Sequence, residues 1–204
     1  PSRRAGRPGR PSSRTRCSPS GTSEDFLELV ERIGLHGVSY AVGYTAWLER
    51  MADHPNIEVR LDTDFFDMMA GRMGAGGDFA YAYVIAHEIG HHVQNQLGIL
   101  PRVNQLRARV RGADANRLSV MTELQADCFA GIWARHASDR FGTIEPGDID
   151  EAVNAARAVG DDMLQRSAGR TPMPDSFTHG SAAERSEWLR RGMDSGELVH
   201  CDTF

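Results

Sequence analysis

The chain has 204 residues, 40% of them apolar, and a formal net charge of −5. That is enough apolar material for one hydrophobic core, and the modest charge, with its basic excess confined to one end, excludes a strongly basic nucleic-acid-binding domain. No run of eighteen apolar residues occurs, so no membrane span is expected in this sequence, and no apolar signal-peptide core follows Pro1.

Residues 1–21 hold six arginines and four prolines among serines, with almost nothing apolar, a composition that predicts a disordered basic tail. A nucleic-acid or anionic-membrane arm is the functional alternative; no aromatic residues interleave the charges, so no nucleic-acid partner is expected. A single domain is expected over residues 22–204. Phe26, Leu27, Leu29, Val30 and Ile33 suit a short amphipathic helix, and residues 45–51 suit another. Ile57-Glu-Val-Arg-Leu61 alternates with period two, the pattern of a half-buried strand, which at a cleft edge could offer its backbone to an extended substrate peptide. Asp62, Asp64, Phe65 and Phe66 then lead into a short helical turn before the glycines of 74–77.

Asp78 is a good N-cap, no Gly or Pro interrupts the chain as far as Ile89, and Gly98 followed by Pro101 supplies a stop. A helix is therefore predicted from about Asp78 to Leu97, with Phe79, Tyr83, Val84, Ala86, Val93 and Leu97 in the core. Inside it stands His87-Glu-Ile-Gly-His91. Residues four apart share one helix face, so His87 and His91 can present two imidazole nitrogens to one zinc ion at about 2.0–2.1 Å. Glu88 lies one step round, placed to take a proton from an attacking water and not to ligate. Gly90 disfavours helix by about 1 kcal/mol against Ala, which predicts a close neighbour there. His92 points about 100° away from His91 and is assigned to packing or solvent.

A third ligand is sought downstream. Arg117 to Trp133 reads as a helix with Ser119 a possible N-cap and Leu124, Cys128 and Ile132 recurring every four residues. Glu123 and Asp127 are also four apart and share a face with small neighbours, Ala126 and Ala130. Glu123 would ligate zinc, and Asp127 would accept the second ring N–H of a ligand histidine; the competing reading of the pair is a salt bridge to an arginine such as Arg135. Asp148-Ile-Asp-Glu151 and Ser181-Ala-Ala-Glu184 are capping boxes, opening a helix from Ile149 to about Gln165 and another that carries Trp188 and Leu189 and stops at Gly192. Adjacent Asp161 and Asp162 diverge by about 100° on a helix and are read as a solvated or Arg-paired face.

Taken in order, His87-Glu-Ile-Gly-His-His-Val-Gln94, Glu123-Leu-Gln-Ala-Asp-Cys-Phe-Ala-Gly-Ile-Trp133, Gly160-Asp-Asp-Met-Leu-Gln165, Phe177-Thr-His-Gly-Ser181 and Cys201-Asp-Thr-Phe204 resemble the YpfJ-like neutral zinc metallopeptidases, from about Ile57 onward. The resemblance implies a zincin-type fold with a Glu third ligand, and kinship with membrane zinc proteases in which H-E-x-x-H is joined by E-x-x-x-D. It implies that His179, in Thr178-His179-Gly180 ahead of Glu184-Arg185, could donate to the oxyanion of the tetrahedral intermediate; a loop histidine capping the next helix is the equal alternative. It implies that Cys128 and Cys201 could pair in an oxidising compartment, while Cys17 lies in the tail and the odd count leaves the compartment open. Members often carry an N-terminal membrane anchor, which suggests a membrane-associated or extracytoplasmic setting. Where they carry Gly-Pro-Phe-Tyr-Cys-Pro, this chain has Val42-Gly-Tyr-Thr-Ala-Trp-Leu48 and no cysteine.

The sequence thus predicts a mostly helical α+β domain of zincin type, with a small β element and the His87–His91 helix at its active site. Zn²⁺ would be held by His87, His91 and Glu123, with Asp127 behind them and a fourth position open to water. Peptide bonds of a peptide or protein substrate would be hydrolysed by a zinc-activated water, Glu88 being general base and His179 a second catalytic group. The alternative is a catalytically inactive zinc-binding pseudopeptidase that serves as a protein-binding module.

Overall fold

The computed structural model describes residues 63–204 apart from Thr143. Seven α-helices follow in order: α1 Thr63–Met73, α2 Asp78–Gln96, α3 Ile99–Arg107, α4 Ala113–Phe141, α5 Asp148–Ala158, α6 Asp161–Ser167 and α7 Ala182–Ser195, with 3-10 turns at Pro174–Ser176 and Leu198–Cys201. This corrects the α+β expectation. Among the described residues every regular element is helical and none is a strand. The segment that carries period-two alternation, Ile57–Leu61, lies outside the described residues, as do the tail and the helices read around residues 23–34 and 45–51. No helix among the described residues is long and apolar enough to cross a membrane.

The 29-residue α4 is the central strut, packed most extensively on α7 and then on α2, while α5 closes the far side against α2 and α7. Its inner face is made of small residues, with Ala126, Ala130, Ala134 and Ala137 all buried, so neighbouring backbones can come close. The α4–α7 crossing depends on this. A Cβ on Gly192 would sit 1.9 Å from the Cys128 carbonyl oxygen, and one on Gly131 would sit 2.1 Å from that of Leu189. Gly192 is therefore interior to α7 and not its stop; the helix runs three residues further, to an αL cap at Gly196. Ser119 is likewise interior to α4 and bonds back to the Ala115 carbonyl, because the helical segment starts six residues earlier, at Ala113.

The helix expected from Ile149 to Gln165 is broken after Ala158 into α5 and α6, and Asp148 bonds the Glu145 amide and opens no capping box with Glu151. The box at α7 does form. Ser181 Oγ accepts from the Glu184 amide, and the Glu184 carboxylate accepts from the Ser181 amide.

Two apolar clusters meet along α4. One gathers Met69, Phe79, Tyr83, Val153 and Leu189, and the other Val93, Phe129, Ile132 and the Cys128–Cys201 disulfide. That bond closes a loop spanning 73 positions, for which the chain-entropy model gives a contribution of about 4 kcal/mol. Reduction, or a Cys128→Ala/Cys201→Ala variant, should lower the melting temperature by on the order of 10 °C. Calorimetry with and without reductant checks this; equal melting points would show that the C-terminal turn is held by packing alone.

Candidate metal centre

The site forms where α2 crosses α4. Gly90 lets the helices touch, since a Cβ there would lie 3.1 Å from the Ala126 carbonyl oxygen and 3.2 Å from its Cα. This is the close neighbour that a glycine in mid-motif predicts. At that separation, Glu123 on α4 reaches both histidines of α2. His87 Nε2 is 3.2 Å from Glu123 Oε2 and His91 Nε2 is 3.4 Å from Oε1. The imidazole rings meet edge to face, with centroids 4.7 Å apart. Tetrahedral zinc with bonds of about 2.0–2.2 Å would need its ligand atoms roughly 3.3–3.6 Å apart, so this donor set needs little rearrangement to take the ion.

The outer nitrogens say which atoms face inward. His87 Nδ1 lies 2.8 Å from Asp127 Oδ1, and His91 Nδ1 lies 2.8 Å from Gln94 Oε1. A carboxylate can only accept, and the Gln94 amide group is committed to the Thr122 carbonyl and Gln125 Oε1, so its oxygen faces His91. Both rings therefore carry their proton on Nδ1 and turn the Nε2 lone pair toward Glu123. Two lone pairs and a carboxylate converge, and only a cation satisfies all three. In the metal-free chain a proton serves: burial pulls the His87 pKa down, but the Asp127 charge and the hydrogen bonds from Asp127 and Glu123 outweigh it and raise it to about 9. Burial pushes the Glu123 carboxyl up, and its bonds to His87 and His91 override that, holding it well below the usual range.

Behind the histidines lies a buried network. The fully buried Asp127 carboxylate accepts from Tyr83 Oη at 2.6 Å, from His87 Nδ1, and from Arg185 Nε and Nη2 at 2.8 and 2.9 Å. Burial raises its pKa, but Arg185 and His87 bring it down to about 2. Asp127 thus stays an anion, as its bond to the ring N–H requires. The arginine that pairs with it is Arg185 of α7 and not Arg135, which bonds Asp139 on its own helix.

With this geometry in view, the comparisons decide the family. Residues 53–204 match the family model described as "Putative neutral zinc metallopeptidase". The chain belongs to this family. It is similar to "Uncharacterized protein YpfJ" of Escherichia coli strain K12, 53% identical over 146 residues that make up 72% of this chain and 50% of that protein. It is also similar to "Uncharacterized protein Rv2575" of Mycobacterium tuberculosis, 46% identical over 153 residues, 70% of this chain and 50% of that one. The chain spans about half the length of these curated relatives. No solved structure matches it.

His87, His91 and Glu123 come together with Asp127 behind His87, whereas His179 is not among the converging donors. Its half-exposed ring lies 3.1 Å from Thr178 Oγ1 and 3.3 Å from Asp161 Oδ1. Glu88 is exposed on α2 beside His87, and His92 faces solvent. Arg185, Tyr83 and Asp161 carry more than sequence reasoning gave them. The family pattern placed an arginine after the Thr-His segment without assigning it a partner. Tyr83 lies in the core as expected, and its spacing of four from His87 also puts it on the ligand face, where its hydroxyl donates to Asp127. Asp161 is buried, not solvated, and its Oδ2 accepts from the amides of Thr178, His179 and Gly180 at 2.7, 2.7 and 3.1 Å. Asp162 does pair with an arginine, Arg166.

Asp127→Asn would set an NH₂ donor against either the His87 N–H or Arg185 Nε, both of which need an acceptor, and would leave the Arg185 guanidinium buried without its counter-ion. Zinc affinity should fall roughly 10–100-fold and stability by about 3–5 kcal/mol. Chelator competition and denaturant unfolding on this one variant check both numbers, and wild-type values in the two would reduce Asp127 to a packing residue.

Proposed function

We propose that this chain is a zinc-dependent peptidase that hydrolyses peptide bonds of a peptide or protein substrate. The observation that carries the reading is the convergence of His87 Nε2, His91 Nε2 and a Glu123 oxygen, with both Nδ1 atoms already committed to acceptors behind them. When bound there, zinc supplies a Lewis acid that polarises the scissile carbonyl and acidifies a water. Glu88, adjacent to His87 and open to solvent, takes the proton of the attacking water and returns it to the leaving amine. Asp127, kept anionic by Arg185, holds the His87 ring in its ligating tautomer.

His179 is assigned to the oxyanion. Supporting this, Asp161 ties the amides of residues 178–180 together, and Gly180 packs on Leu124 and Val120 of α4, next to Glu123 in sequence. His179→Ala should lower kcat by about 10²–10³ while KM and bound zinc stay near wild type. A loss of melting temperature with kcat intact would assign it to the loop instead.

An extracytoplasmic or membrane-associated setting is part of the proposal, and the buried Cys128–Cys201 bond supports it, since such bonds persist in oxidising compartments. The test of function is digestion of an unbiased peptide library by the purified chain. Cleavage should require zinc, stop with chelator and return on adding the metal back. Stoichiometric zinc without cleavage would favour the zinc-binding pseudopeptidase.

A further inference from the structure

We infer that Gln94 is a positioning residue for His91, and that Gln125 and the Cys201 backbone hold it in that role; this deepens the zinc reading above and rests on it. Gln94 is fully buried, three residues after His91 on α2, facing α4. A long amide is expensive to bury unless its bonds are made, and Gln94 makes three. Its oxygen accepts from His91 Nδ1 at 2.8 Å, and its nitrogen donates to the Thr122 carbonyl at 2.8 Å and to Gln125 Oε1 at 3.1 Å. Gln125, also buried, donates in turn to the Cys201 carbonyl at 2.9 Å.

Every donor in this relay points the same way, from His91 through Gln94 and Gln125 to the C-terminal turn. Turning the Gln94 amide over would set its oxygen against two other oxygens and its NH₂ against the ring N–H. The relay therefore fixes Nδ1 as the protonated nitrogen of His91 and leaves Nε2 free to ligate. The two histidines are held by different means: His87 by a carboxylate inside a charged network, His91 by a neutral amide. His91 is also the more exposed ring, with 23% of its side chain accessible against 8% for His87, so it has less packing to hold its orientation. The far end of the relay is anchored to the same helix. Cys201 is disulfide-bonded to Cys128 of α4, and Thr203 Oγ1 donates to the Met121 carbonyl at 2.8 Å.

The experiment compares wild type, Gln94→Met and Gln94→Glu for zinc affinity by chelator competition and for melting temperature without metal. Gln94→Met removes the acceptor and should weaken zinc roughly 10–100-fold. Gln94→Glu keeps an acceptor for His91 but loses both donors, so it should melt lower than wild type while retaining zinc affinity. A purely structural Gln94 would make affinity follow stability in both variants, and that result would overturn the inference, as would wild-type affinity in Gln94→Met. Should a variant fail to fold, long-range proton–nitrogen NMR of the zinc-loaded wild type decides the point. His91 ligating through Nε2 with a proton on Nδ1 supports the relay; ligation through Nδ1 overturns it. Wild type that binds no zinc would defeat the zinc reading itself, and the inference with it, whereas zinc-binding wild type matched by Gln94→Met would defeat the role of Gln94 alone.

Discussion

His91→Ala should leave the purified chain without stoichiometric zinc while the fold survives. Zinc sites of this kind take three protein ligands and keep a fourth position open, so removing one leaves two donors and too little binding energy to hold the ion against a chelator. His91 is a cleaner choice than His87. The His87 ring also bonds Asp127 inside the buried network with Tyr83 and Arg185, so His87→Ala removes a structural partner together with a ligand. Among the described residues His91 has Gln94 behind it, and its deletion leaves the Asp127–Arg185 pair untouched. Metal analysis after gel filtration should find about one zinc per wild-type chain and essentially none in the variant, with melting temperatures close when both are metal-free. Retention of zinc by His91→Ala would mean that the ion sits elsewhere.

The second large effect separates chemistry from binding. Glu88→Gln should hold zinc as tightly as wild type and lose roughly 10²–10⁴ in turnover. The donor atoms that converge belong to His87, His91 and Glu123, and Glu88 lies exposed one step round the helix, where it can reach a water but is not needed by the ion. The amide keeps the size of the side chain and removes its basicity. Comparing kcat and metal content side by side reads the two roles independently. Loss of the metal would make Glu88 a ligand, and unchanged kcat would assign the base to another group.

Much of this site is legible in the sequence because it is written in helical periods. The spacing of four between His87 and His91, and again between Glu123 and Asp127, survives whatever the rest of the chain does. The Asp78–Gln96 helix agrees with its expected bounds to within one residue, since a glycine run precedes it and Gly98, in the left-handed conformation, follows its C-cap; Pro101 lies inside the next helix and is not the stop. Readings fail where a tertiary contact overrides a local signal. Gly192 looks like a helix stop and is a contact point, because α7 must touch the Cys128 carbonyl. Asp161 looks like a surface charge and is a buried acceptor for three amides of a loop nearly twenty residues away. Arg185 could not be paired with Asp127 from spacing, since 58 positions separate them. The α+β expectation fails for a different reason: its alternating stretch, Ile57–Leu61, lies outside the described residues, and every regular element within them is helical.

X-ray absorption spectroscopy of the zinc-loaded wild-type chain tests the central claim most directly. The account predicts about one zinc per chain in a shell of nitrogen and oxygen at roughly 2.0–2.2 Å, with the outer-shell scattering of two imidazoles and no sulfur. A chain that takes up no zinc, or a spectrum showing sulfur near 2.3 Å or fewer than two imidazoles, would contradict it.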